Sequence, residues 1–173
     1  MTSIVTSLSI NQIRALSSTA IANLTTTDVA ALTSTQIKAL SSTQVAAFET
    51  EDLAAFSSTQ ISAVTAAAIT GLTLSQMDAL GSSNIAGLTS AQMNALSTAQ
   101  ISQLNSDQVD ALSSSQIAAI TAAALGTMTS DEIGTFTSDE VAAISTKVLA
   151  SLSTAAIANF NSDQIGALSS KQD

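Results

Sequence analysis

The side chains best suited to chemistry in this sequence are carboxylates that stand next to or near one another. Three adjacent pairs and one spaced pair occur: Glu51–Asp52, Asp131–Glu132, Asp139–Glu140, and Asp107 with Asp110. Such groups can bind calcium weakly or act as a general acid and base. A calcium loop needs several oxygens and a glycine turn in one short stretch, and no D-x-D-x-D-G run exists. We therefore predict no metal site and assign these acids to first helical turns, where unpaired N–H groups favour negative charge.

Hydroxyl groups are abundant, but a nucleophilic hydroxyl needs a neighbouring base. The chain has no His and no Cys. Its basic residues number four: Arg14, Lys38, Lys147 and Lys171. Catalysis by histidine or cysteine, and coordination of zinc, haem or iron-sulfur clusters, therefore lack their usual side chains. We predict no catalytic residue, no cofactor and no metal ligand, and we expect that the chain is not an enzyme.

Charge and hydropathy exclude further classes of partner. The formal net charge is -9 and aromatic residues make up 2% of the chain, so phosphate is repelled and bases find no stacking platform. We expect no nucleic-acid binding. No apolar run approaches 18 residues, so we expect no membrane insertion. Met1 is not followed by a basic segment and an apolar core, and no secretory signal peptide is predicted.

The 173-residue chain repeats every eight residues without an insertion. Every multiple of eight from Leu8 to Leu168 is Leu, Ile, Val, Met or Phe, and a second apolar series runs three residues earlier, from Val5 to Ile165. Numbering each octad from one to eight gives the consensus S/T-S/T-x-Q-I/V-x-A-L. Twenty-one octads fill residues 1–168 as a single domain, and residues 169–173 form a polar tail.

Each octad is predicted to form one short helix. Position one is Ser or Thr in 16 of the 21 octads, and these residues are preferred N-caps. Position four is Gln in ten octads, where its side chain can complete a capping box with the cap. The Leu before the cap and the Ile or Val at position five are spaced for a hydrophobic staple. The helix is expected to span about six or seven residues, with position six on its outer face.

The octad excludes one continuous helix, because its apolar face would rotate by about 80° with every unit. A β-solenoid remains the alternative, although positions five and eight would point to opposite faces of a strand. Since one octad is too short to fold alone, the octads must stack. We predict an all-α solenoid or superhelix of about 21 short capped helices, with terminal octads acting as caps. A stack of two-helix hairpins with a 16-residue period is a second arrangement of the same helices.

The T-x-x-Q-I-x-A-L octads, such as residues 33–40, resemble stretches of very large repetitive bacterial surface or exported proteins, including adhesins of the RTX or type I-secreted kind. The resemblance covers the whole chain. It implies an extracellular or cell-surface location and supplies no catalytic or ligand residues. We expect a non-enzymatic structural module that serves as a rigid spacer, stalk or scaffold. The alternative is a binding module that presents Ser, Thr and acidic side chains to a protein, glycan, calcium or ice, and an open-ended array could also associate end to end.

Overall fold

A computed structural model describes residues 3–168 of the chain. Within that range the regular structure consists of twenty α-helices and one 3-10 helix, without any strand. The predicted all-α solenoid is confirmed, and the β-solenoid alternative is wrong. Met1 and Thr2 of the first predicted octad, and the predicted tail 169–173, lie outside the described residues.

Each octad contributes one helix to the chain. The 3-10 helix spans Ile4–Ser7, and the α-helices are α1 (Ile10–Ala15), α2 (Ser18–Ala22), α3 (Thr26–Ala31), α4 (Ser34–Ile37), α5 (Ser42–Ala46), α6 (Thr50–Ala54), α7 (Ser58–Ala63), α8 (Ala66–Ile69), α9 (Leu74–Ala79), α10 (Ser82–Ala86), α11 (Ser90–Ala95), α12 (Thr98–Ile101), α13 (Ser106–Asp110), α14 (Ser114–Ile117), α15 (Ala122–Leu125), α16 (Ser130–Gly134), α17 (Ser138–Ala143), α18 (Thr146–Ala150), α19 (Thr154–Ile157) and α20 (Ser162–Gly166). They are shorter than predicted, at four to six residues.

Most helices begin with the predicted capping box. At the start of α9, the Thr73 side chain accepts a hydrogen bond from the Gln76 N–H at 3.2 Å, and the Thr73 N–H donates to Gln76 Oε1 at 2.8 Å. Gly81 forms half of this arrangement, since its N–H donates to Asn84 Oδ1 at 3.1 Å. The 3-10 helix is capped by Ser3, at position three of an octad whose position one is Met1. Position one and position four therefore start the helices as predicted.

Each helix ends in a corner that needs no additional loop residue. In the ninth octad, the N–H of Leu72 donates to the Ile69 carbonyl at 3.1 Å, so the last turn is tighter than an α-turn. Where the helix ends directly at position eight, as at Leu80, that residue is extended, with φ -67° and ψ 130°. The following N-cap, Gly81, is extended too. This early tightening explains why the helices are shorter than the sequence indicates.

Successive helices turn through a superhelix that has between three and four octads per turn. Most helices pack against the third helix along the chain, as α6 does against α9 and α14 against α17. Hydrogen bonds between turns join residues 25 to 31 positions apart, as from Ser82 to Asp107 and from Gln92 to Val64 and Ile61. The two-helix hairpin arrangement with its 16-residue period is therefore wrong.

Positions five and eight form one continuous core along most of the array, with Ile61, Leu72 and Met77 fully or almost fully buried. The rings of Phe48 and Phe56 meet edge to face in this core, with centroids 5.5 Å apart. Position six lies on the outside, as predicted, for example at Arg14, Lys38, Asp78 and Asp110. None of the helices between residues 3 and 168 is both long enough and apolar enough to span a membrane.

Candidate functional surfaces

The paired carboxylates lie at helix starts, where the sequence places them. Glu132 and Glu140 accept hydrogen bonds from the N–H groups of Thr129 and Thr137, each at 2.7 Å, and so complete capping boxes. Their partners Asp131 and Asp139 occupy the same first turns and are exposed. Both pairs act on their own helices, and their acidic groups stabilise the positive helix start.

The pair Glu51–Asp52 is split between solvent and interior. Glu51 is exposed, whereas Asp52 is only 4% exposed and accepts a hydrogen bond from the Thr26 hydroxyl of the preceding turn at 3.1 Å. Asp107 and Asp110 are both exposed, at the start and end of α13. Across residues 3–168, no three acidic, histidine or cysteine side chains come together in a group that could hold a metal ion.

Asp28 forms a second hydrogen bond between turns in which a hydroxyl donates to a carboxylate. Its carboxylate accepts hydrogen bonds from the Ser3 hydroxyl at 2.6 Å and from the Thr25 hydroxyl at 2.7 Å. The bond from Ser3, followed by those from Thr25, holds the pKa of Asp28 below its ordinary value of 3.8. The carboxylate therefore joins the first and second turns of the superhelix in its charged form.

The glutamines at position four have a second role that the sequence analysis missed. Gln92 is 1% exposed, and its Oε1 accepts the Thr89 N–H at 2.7 Å, as the capping box requires. Its Nε2 donates to the carbonyls of Ile61 at 2.7 Å and Val64 at 2.6 Å, which lie at positions five and eight one turn earlier. One side chain thus caps its own helix and binds the corner of another octad.

The same bridge recurs at equivalent positions along the chain, and we call the bridging glutamines the glutamine ladder. Its members donate an Nε2 hydrogen bond to the carbonyl at position eight, four octads earlier: Gln36, Gln44, Gln60, Gln76, Gln92, Gln100, Gln108, Gln116 and Gln164. Asn84 makes the equivalent bond to Phe56. Helix ends leave carbonyls without partners, and a buried corner cannot use water. The ladder supplies the missing donor.

A glutamate at position four completes the capping box but cannot replace the bridge, because an ionised carboxylate has no N–H to donate. The sequence contains a signal for this second role. Position four is Gln in ten octads but Glu in only two, Glu132 and Glu140. Capping alone accepts either residue. The excess of Gln therefore indicates a need for a donor as well as an acceptor.

The surface at the end of the described chain is apolar and open. A groove of about 460 Å³ is lined by Thr146, Leu149, Ala150, Ile157, Phe160, Ile165 and Leu168. Ile165 is 42% exposed, although position five is buried in every octad from Val5 to Leu149. At the other end, Ile4 is 69% exposed, and Leu8 and Leu16 are half-buried. Both ends therefore expose surfaces that interior turns cover with the next or preceding turn.

These surfaces offer amide-to-carbonyl hydrogen bonds and apolar contact. Comparison with protein families gives one match, to a family model described as the ALTTAQ repeat, over residues 5–42, 45–82, 76–105, 85–122 and 141–172. These ranges cover most of the chain, and the last one extends four residues beyond Leu168. A search of curated proteins found no match to the sequence.

Proposed function

The chain belongs to the ALTTAQ repeat family, and we propose that it serves as a non-enzymatic structural module, a rigid spacer, stalk or scaffold. Every described octad forms one short helix, and the polar side chains at position four mostly cap helices and join one turn to the next. A spacer needs a fixed length and resistance to bending more than it needs a concave polar site.

The observation that carries this proposal is the buried bonding between turns. From Gln36 to Gln116, side-chain amides in nine of the eleven octads donate hydrogen bonds to carbonyls of the preceding turn, over the continuous core. Buried hydrogen bonds of this kind fix register, since a shifted turn would leave amides and carbonyls unpaired. The array therefore resists bending and slippage, as a spacer must.

We also propose that the module works in a bacterial surface or exported protein. The support for this location is the resemblance of the T-x-x-Q-I-x-A-L octads to repetitive stretches of such proteins. An array of similar units suits that setting, because its length changes by whole octads while the kind of contact between turns is kept.

The spacer proposal predicts that length follows octad number. Duplicating residues 73–104 adds four octads. Each octad after the duplication then has the same octad sequence four octads before it as in the parent chain, so its contacts are kept. We expect small-angle X-ray scattering to give equal increments in maximum dimension for one and two duplications, with an unchanged cross-section.

The matched control is a Gly/Ser insertion of the same length at the same site, which forms a flexible coil. It should broaden the distribution of distances without extending the rod. Duplications that increase the cross-section or leave the maximum dimension unchanged would contradict the spacer function. The melting temperature should also be the same with and without calcium. A ligand that binds only the folded state would raise it, and a spacer needs no bound calcium.

A further inference from the structure

We propose that the array has one built-in opening point, where the amide bridges between turns are missing for a complete turn of the superhelix. We call it the unbridged interface, and it lies between residues 89–120 and residues 121–152. Under tension the turns should separate there first, so that the array lengthens in one defined step. This mechanical consequence rests on the spacer function proposed above.

The length of the gap in the glutamine ladder distinguishes this interface from the rest of the array. Between residues 36 and 116 the ladder misses only single octads, those of Asp52 and Ala68. Gln60 stands between them and donates to the Leu32 carbonyl at 3.0 Å. After residue 116, four consecutive octads have no amide at position four: Ala124, Glu132, Glu140 and Val148. Since one turn has between three and four octads, this gap extends once around the superhelix.

The carbonyls that these four octads would bridge are buried. They stand at position eight, four octads earlier, and no described residue donates a hydrogen bond to them: Leu96, Leu104, Leu112 and Ile120. These four residues are only 2–4% exposed. On either side of the gap the equivalent carbonyls are bonded, Leu88 by Gln116 at 2.8 Å and Phe136 by Gln164 at 3.0 Å. A buried acceptor without a donor costs free energy, so contact between turns stabilises the array less here than elsewhere.

Two of the four octads carry an ionisable group in place of the amide. Glu132 and Glu140 are half-buried, whereas the ladder member Gln92 is 1% exposed. Both carboxylates accept the N–H groups of their own caps and, when ionised, have no N–H to donate to another turn. Among the described residues, the turns meet here mainly through apolar side chains, as where α14 packs against α17. Apolar contact has no direction and does not fix register as a hydrogen bond does.

The octads before the unbridged interface stay anchored when it opens. Gln100, Gln108 and Gln116 donate to position-eight carbonyls of the preceding turn at 2.6–2.8 Å, which holds residues 97–120 in place. In a repeat array, stability is approximately a sum of units and of interfaces between neighbours, so the weakest interface opens first. Opening should therefore release residues 121–168 as one unit and leave residues 3–120 folded.

Hydrogen exchange of the backbone amides, followed by mass spectrometry on the full chain, tests this opening. Helices α15–α20 should exchange at least about tenfold faster than α9–α14, with a step between residues 120 and 121. Protection that declines gradually toward residue 168 would show fraying from the end and would overturn the proposal. Equal protection on both sides of residue 120 would overturn it as well.

The double variant Glu132→Gln with Glu140→Gln keeps both capping acceptors and supplies two donors. It should slow exchange about tenfold, and the slowing should include residues 145–160, which carry no substitution. The matched control is Asp131→Asn with Asp139→Asn, which removes two charges from the same first turns at exposed residues outside the ladder. It should slow exchange nowhere in residues 121–168. Slowing confined to residues 129–144, or equal slowing in the control, contradicts an opening between turns.

Stretching single molecules tests the consequence for a spacer. The chain has no cysteine, so one cysteine added at each end gives unique points of attachment. The first step should add about 180 Å of contour length, which is the extended length of residues 121–173. The double amide variant should need a higher force for this step. Unfolding of the whole chain in one step contradicts the opening point. If duplications fail to lengthen the particle, the spacer function is wrong, but an exchange step at residue 120 would still establish the unbridged interface.

Discussion

Residues 33–120 and residues 121–160 consist of the same octads but differ at position four. The first range, the glutamine-rich segment, has Gln there in eight of eleven octads. The second, the glutamine-free segment, has Ala124, Glu132, Glu140, Val148 and Ala156. In both segments most helices are capped and most side chains at positions five and eight are buried. The caps and the core are therefore sufficient for the solenoid, and the amide bridges are an addition to it.

In the glutamine-free segment, an asparagine side chain partly replaces the hydrogen bonds of the ladder. Asn159, at position seven, donates from Nδ2 to the Met128 carbonyl at 3.0 Å, where a position-four amide would bind. The family match also omits residues 123–140, which contain three of these five position-four residues. The comparison of the segments therefore shows what the ladder contributes. It adds hydrogen bonds between turns to apolar contacts that both segments share.

The largest expected effect comes from removing one amide of the ladder. Gln92→Glu keeps the capping acceptor but places a buried carboxylate against the carbonyls of Ile61 and Val64, and we expect it to lower the free energy of unfolding by about 3–5 kcal/mol. Gln92→Leu loses the bonds without adding charge and should cost about 2 kcal/mol. Urea denaturation measures both changes.

The matched control for this change is Gln12→Glu. Gln12 is exposed and makes the same capping contact to Ser9 without a bridge to another turn. It should change stability by less than about 0.5 kcal/mol, as surface substitutions usually do. Equal losses at Gln92 and Gln12 would show that capping, not bridging, accounts for the effect.

A glycine substitution should have opposite signs in the two segments. A Cβ at Gly71 would overlap the Ser42 carbonyl oxygen of the neighbouring turn and lie 2.8 Å from Ser42 Cα, so Gly71→Ala should cost about 1–3 kcal/mol. A Cβ at Gly134, in α16, meets nothing within 4 Å. Gly134→Ala should therefore gain about 0.5–1 kcal/mol through reduced backbone entropy of the unfolded chain. Thermal unfolding of both variants decides this, and destabilisation of equal size would contradict the close approach at Gly71.

Installing the missing amides should make the two segments more alike. Glu132→Gln provides a donor for the carbonyls of Ile101 and Leu104, 31 and 28 positions earlier, where ladder members bind. We expect a gain of about 1 kcal/mol in the free energy of unfolding, typical of one net hydrogen bond. The control is Glu51→Gln, an exposed change of the same chemistry. A gain no greater than that of the control would show that this turn is too distant for a bridge.

The smallest effect concerns the carboxylate link at the first turn. Because the pKa of Asp28 is lowered in the folded state, its stabilisation is fully present above the ordinary 3.8 and is lost as pH falls through the lowered pKa. Asp28→Asn removes the stabilisation that the charged carboxylate provides. The difference in melting temperature between parent and variant should therefore be constant at neutral pH and shrink in strong acid. A difference that does not depend on pH would assign the effect to packing.

The sequence predicts the local structure well, because caps and staples act within one octad. Position one caps the helix, position four completes the box, and positions five and eight are buried, as at Thr73, Gln76, Met77 and Leu80. The number of octads per turn could not be predicted, since it depends on the angle between consecutive helices. The octad period leaves that angle open.

The second role of Gln could not be predicted for the same reason. The capping box accounts for a Gln at position four without reference to any other turn. The partners of Gln92, Ile61 and Val64, are 31 and 28 residues away, and their distance follows only from the superhelix. The groove around Ile165 likewise depends on knowing which octads cover one another.

The most direct test of the ladder is the hydrogen exchange of the glutamine side-chain amides, measured by NMR. Buried and bonded amides exchange only when the turns separate, so the Nε2 protons of Gln92, Gln108 and Gln116 should be strongly protected. The exposed side chains of Gln12 and Gln103 are the controls within the same molecule, and they should exchange at the rate of a free amide. If the ladder amides exchange as fast as those of Gln12 and Gln103, the turns are not joined through position four.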